Sequence, residues 1–198
     1  MLKISEKILD VTCQFWCNII KGGKDHDNGD KSFTGFMCSF LANSGTKSID
    51  DEKLKVFSKE LKNQILKEAK NRYTNYIVLY CDYGPGHLLY QAAEKAQINS
   101  LNFPWKTGVY VYENAVIENR PYARPEDETD SIIYCDKSYV INKIKEIKKW
   151  IDDLKAKELE EWETEENRKE YIESNTKRLE SYEVFLNKMG ECYLREDD

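Results

Sequence analysis

Between Asp136 and Met189 the chain contains neither glycine nor proline, so the two residues that most readily interrupt a helix are missing from its last third. Apolar side chains fall at Val140, Ile144, Ile147, Ile151 and Leu154, a 4-3-4-3 spacing that draws one stripe down a helix. The spacing resumes at Ile172, Leu179, Tyr182, Leu186 and Met189, with Asn175 in one slot. Between the two halves the stripe passes through Glu158, Glu161, Glu165 and Arg168, which cannot form a dry seam. Two conformations fit. One is a single long helix with a solvated middle. The other is a helical hairpin that folds back near residues 160–166. The hairpin lets the two stripes cover each other within one chain and is the expected form.

Upstream, Ile8, Val11, Phe15 and Ile19 mark a helix over residues 5–20, opened by Ser5 as N-cap and closed by Gly22 and Gly23. A short second helix is expected around Phe36, Met37, Phe40 and Leu41. A third starts near Ser48, which has Asp51 three residues on in a capping-box-like arrangement, and carries the stripe Leu54, Phe57, Leu61 and Ile65. "NYIVLYC" is apolar on both alternating faces, which predicts a central strand at Tyr76–Cys81 buried on both sides. A helix with Leu88, Leu89, Ala92, Ala93 and Ala96 on one side follows. "VYVY" and "AVIEN" then read as strands joined through Glu113 and Asn114, and "SIIY" as one more short strand. The expected fold class is α+β: N-terminal helices around a small mixed sheet of three to four strands, with a C-terminal acidic helical hairpin or long helix. The expected organisation is a core domain over 1–135 and a coiled-coil-like appendage over 136–198.

Six cysteines (Cys13, Cys17, Cys38, Cys81, Cys135 and Cys192) are scattered through a chain without a secretory leader pattern, so reduced thiols and a cytoplasmic location are expected. No apolar run reaches the ~20 residues needed to cross a bilayer. The net charge is −6, yet residues 151–198 alone carry 16 Asp+Glu against 8 Lys+Arg. That distribution weighs against direct binding of duplex DNA, which needs clustered cations to displace counterions.

The densest motif is "CDYGPGH", placed between the predicted strand and the helix that follows it. Such a turn presents backbone N–H groups at a helix start and an acid at a strand end, a setting that suits a ligand. Under that reading Asp82, His87 and Lys106 form a catalytic set, and Gly84, Gly86 and Trp105 line a ligand site. A right-handed crossover would bring the two strand ends together. The plainer reading is a tight corner in which Gly84 and Gly86 supply unusual backbone angles and Pro85 fixes one φ. His87, likewise, is either a proton shuttle or a first-turn helix residue bonded to a neighbour. Asp25, His26, Asp27 and Asp30 are weak candidates for a hard cation, because their loop misses the EF-hand pattern at positions six and twelve. Cys13, Cys17, His26 and Cys38 lack a zinc knuckle, and no cofactor or metal is expected.

Thirteen tyrosines and four tryptophans beside acidic helices suit a protein interface. The leading expectation is a cytoplasmic, non-enzymatic binding or inhibitory protein of the bacterial or phage accessory kind. It would engage a protein or protein–nucleic-acid complex with a basic surface through Glu161, Trp162, Glu165 and Glu166, in the manner of a nucleic-acid mimic. The alternative is a small enzyme or ligand binder at Asp82–His87 near Lys106. A homodimer through the heptad seam is the third.

Overall fold

A computed structural model describes residues 2–22, 49–71, 74–82, 84–104, 106–119, 128–129, 131–157 and 164–193, arranged in two compact units, Met1–Asn119 and Arg120–Asp198. The expected short helix near Phe36, the Asp25–Asp30 loop, Trp105, Glu161 and Trp162 lie outside the described residues.

The first unit opens with α1 (Glu6–Gly22), where Ser5 Oγ accepts the Ile8 N–H at 3.3 Å and caps the helix as its sequence predicts. Helix α2 (Asp51–Asn71) is capped by Asp50, whose Oδ1 accepts the Lys53 N–H at 2.7 Å. The sequence pairing of Ser48 with Asp51 therefore placed this start two residues early. The stripe Leu54, Phe57, Leu61 and Ile65 is buried throughout, and Phe57 and Trp16 both pack on Phe103 in the core.

Strand β1 (Tyr76–Cys81) pairs antiparallel with β2 (Thr107–Tyr112), and β2 pairs antiparallel with β3 (Ala115–Glu118) across the Glu113–Asn114 turn. The pairing in this unit is antiparallel, not mixed, and β1 is an edge strand, not a central one. The sequence misled because tyrosine counts as apolar yet tolerates water at its hydroxyl. Ile77, Leu79 and Cys81 are at most 2% exposed, whereas Tyr80 on the other face is 53% exposed. On that outer face the Tyr76 ring meets Tyr110 and Tyr112, each with centroids 5.5 Å apart. Helix α3 (His87–Ala96) connects β1 to a single 3₁₀ turn at Ser100–Asn102 and so to β2. It ends at Gln97, whose φ of 54° is left-handed, with Ile98 N–H returning to Ala93 C=O at 2.9 Å.

The second unit holds β4 (Ile132–Cys135), α4 (Lys137–Ala156) and α5 (Glu165–Tyr193). α4 and α5 pack together as a hairpin, the expected alternative to one long helix. Val140, Ile144, Ile147 and Ile151 of α4 are buried, as is Tyr182 of α5 at 1% exposure. Acidity is not uniform over the hairpin: α4 carries six lysines against three acids. Arg178 of α5 grips Glu128 through two guanidinium nitrogens, and the Thr129 and Ser181 hydroxyls pair at 2.8 Å. Among the described residues no helix is long and apolar enough to cross a membrane.

Candidate functional site

Two regions carry the predicted chemistry. At the β1–α3 corner the register pairs Cys81 with Thr107, so Asp82 and Lys106 are brought side by side. Lys106 N–H donates to Asp82 C=O at 3.4 Å. A right-handed crossover between parallel strands would have put the end of β1 and the start of β2 at opposite ends of the sheet. It is the antiparallel pairing that joins them. Lys106 adopts a φ of 51°, a left-handed conformation that costs a lysine about 1–2 kcal/mol.

Both side chains are exposed, and neither lines the nearest cleft. That cleft, about 230 Å³, is bounded by Glu68, Val78, Tyr80, Gly86, His87 and Leu88. His87 is exposed at the start of α3 and hydrogen-bonds Gln91 at 3.1 Å, which gives its ring a partner within its own helix. The glycines differ from expectation. Gly86 has φ −60° and ψ 164°, extended backbone that any residue adopts. What demands glycine there is space, because an added Cβ would lie 2.9 Å from the Tyr80 carbonyl oxygen. Gly84 has nothing within 4 Å of such a Cβ and no left-handed φ.

Cys13 and Cys17 share one face of α1, as their spacing requires, and that face meets α2. Their thiols approach the carbonyls of Ser58 at 3.5 Å and Leu54 at 3.8 Å. Burial pushes Cys13 up to about 12 and Cys17 up to about 11, so both stay protonated and pack as small apolar groups. Among the described residues no group of three His, Cys, Asp or Glu side chains is placed to hold a metal.

The second region is the start of α5. Glu165 and Glu166 occupy its first turn and are exposed, as are Glu170 and Glu173. Carboxylates here complement the helix dipole, which accounts for part of their presence. Tyr171 is the residue that sequence reasoning missed. It stands eleven residues, three helical turns, before the buried Tyr182, on the side of α5 that carries the packed stripe. Even so it is 57% exposed, the most open large apolar side chain described. The signal was present in that spacing, but the stripe was started one residue later, at Ile172. No family model matches the chain, and no curated protein matches it.

Proposed function

We propose that the chain is a non-enzymatic binding protein that engages a basic macromolecular surface through the start of α5. The observation that carries this reading is Tyr171, an aromatic on the packed side of α5 left 57% exposed, in a segment of the helix whose Glu165, Glu166, Glu170 and Glu173 are exposed as well. An open aromatic on a helix start that also exposes carboxylates suits a partner that offers arginine or lysine, through ion pairs and cation–π contact. Inhibition by imitating a nucleic-acid backbone is the mode this charge pattern favours. The test is affinity capture with the tagged chain, followed by the same capture with Glu165→Lys/Glu166→Lys/Glu170→Lys and with Tyr171→Ala. The charge-reversed chain should lose about tenfold or more in affinity, and loss should deepen at low salt. Partner retention by both variants with intact circular dichroism would sink the proposal.

A second reading rests on the contact between Asp82 and Lys106, with the strained φ of Lys106 as its specific support. In that reading the corner holds a small anionic ligand. Phosphate titrated against wild type and Lys106→Ala checks it by amide chemical shifts at Gly84, Gly86 and His87. Identical responses from the two chains would remove Lys106 from any such site.

A further inference from the structure

β1 is the outer strand of the β1–β2–β3 arrangement, so one rim of its backbone faces away from β2. Main-chain groups alternate in direction along a strand. Tyr80 C=O points off the sheet, because Gly86 N–H donates to it at 2.8 Å, and so Val78 and Tyr76 point the same way. The chain closes both ends of this rim itself. Pro85 bridges Cys81, and Gly84 C=O accepts the Asp82 N–H at 3.3 Å. At the other end the Thr74 hydroxyl donates to Tyr76 C=O at 2.9 Å. Between these closures, Val78 N–H, Val78 C=O and Tyr80 N–H have no partner among the described residues. The cleft of about 230 Å³ shares this rim, lined by Val78 and Tyr80 together with the first turn of α3 and Glu68.

We propose that this rim docks a short extended peptide, which adds to β1 as a further strand. The occupant follows from the hydrogen-bond pattern. A donor, an acceptor and a second donor at strand spacing match another extended main chain, whereas a helix or a closed loop has its own backbone groups occupied. The closures confine pairing to about three residues of the incoming chain, centred opposite Val78, and so predict weak docking, with a Kd on the order of 0.1–1 mM. At the Gly86 end the peptide must stop or turn away. Its side chains alternate between the tyrosine face and the cleft beside Leu88, which favours β-branched or aromatic residues.

The probe is a hexapeptide of alternating threonine and valine, blocked at both ends and titrated against the ¹⁵N-labelled full chain. The Val78 and Tyr80 amides should shift, and their hydrogen exchange should slow by about fivefold or more at saturation. Val78→Pro removes the central donor at an edge position where proline is tolerated, and should weaken docking by about fivefold with the fold retained. Should that variant fail to fold, two peptides N-methylated on opposite alternate amides decide the matter, because main-chain pairing accepts one set and rejects the other. Three results overturn the proposal: a Val78 amide already protected in the free chain, no shift at Val78 and Tyr80 at millimolar peptide, or equal binding of both methylated peptides.

Discussion

A methyl group placed on Gly86 would lie 2.9 Å from the Tyr80 carbonyl oxygen and 3.0 and 3.1 Å from two carbons of the Tyr80 ring. The ring is 53% exposed and can swing aside, but the carbonyl cannot, because it accepts the Gly86 N–H at 2.8 Å. Gly86→Ala must therefore break or stretch the bond that closes the corner, an overpacking cost of about 1–3 kcal/mol. Two smaller effects nearly offset each other. Alanine is a poorer N-cap than glycine by about 0.5–1 kcal/mol, while it lowers unfolded-chain entropy by about 0.4–1 kcal/mol. The net expectation is a loss of about 2 kcal/mol, or roughly 4–8 °C in Tm for a chain of this length. Gly84→Ala is the matched control, with open space and no left-handed φ, and should be neutral or gain up to about 1 kcal/mol. Urea unfolding followed by far-ultraviolet circular dichroism measures both. A double variant with Tyr80→Ala should recover only a minor part of the loss, since the carbonyl stays in place. If Gly86→Ala unfolds within about 0.5 kcal/mol of wild type, contact distance is not what selects glycine there. If Gly84→Ala is the more damaging, the backbone-angle explanation returns.

Three further outcomes are expected. Glu128→Gln or Arg178→Met should destabilise the second unit by about 1–3 kcal/mol in urea, because each leaves one half of a half-buried pair uncompensated. Gln97→Gly should stabilise by about 0.5–1 kcal/mol in the same assay, as the residue at φ 54° gains freedom from its Cβ. Burial raises the thiols of Cys13 and Cys81 to about 12 and of Cys17 and Cys135 to about 11, so the folded chain holds their protons above pH 9 while the unfolded chain releases them. Stability contributed by these groups is complete below pH 9 and is lost as pH rises toward 11–12. Peptide mapping after alkylation at pH 8 should find these four sites labelled about tenfold more slowly than in urea, and equal labelling would contradict their burial.

The sequence was most informative where one period dominated. The β1 boundaries follow from a continuous apolar run, the α2 stripe from helical spacing, and the turn at Glu113–Asn114 from the β-branched runs on either side of it. It was least informative where the fold depends on partners distant in the chain. Strand direction is invisible in "YIVLYC", and so is the difference between an edge and a centre once tyrosines stand among aliphatics. At the corner, the glycines were recognisable as special but for the wrong reason: a backbone angle is local, whereas the approach of Tyr80 to Gly86 exists only after the chain has turned. Asp82 and Lys106 do meet, main chain to main chain, through an antiparallel pairing and not through the expected crossover. The openness of Tyr171 depends on neighbours that periodicity does not show.

The division after Asn119 has a consequence for synthesis. Asn119 N–H donates to Gly108 C=O at 2.8 Å, and every strand pairing of the first unit lies within the first 119 residues. The β1–β2 and β2–β3 pairings can thus form on a nascent chain before the last helix, α5, is complete. The hairpin of α4 and α5, built from contacts close in sequence, closes quickly once its second arm emerges. Order of assembly can in this way follow the order of the chain, because the acidic start of α5 is synthesised after every strand of the first unit.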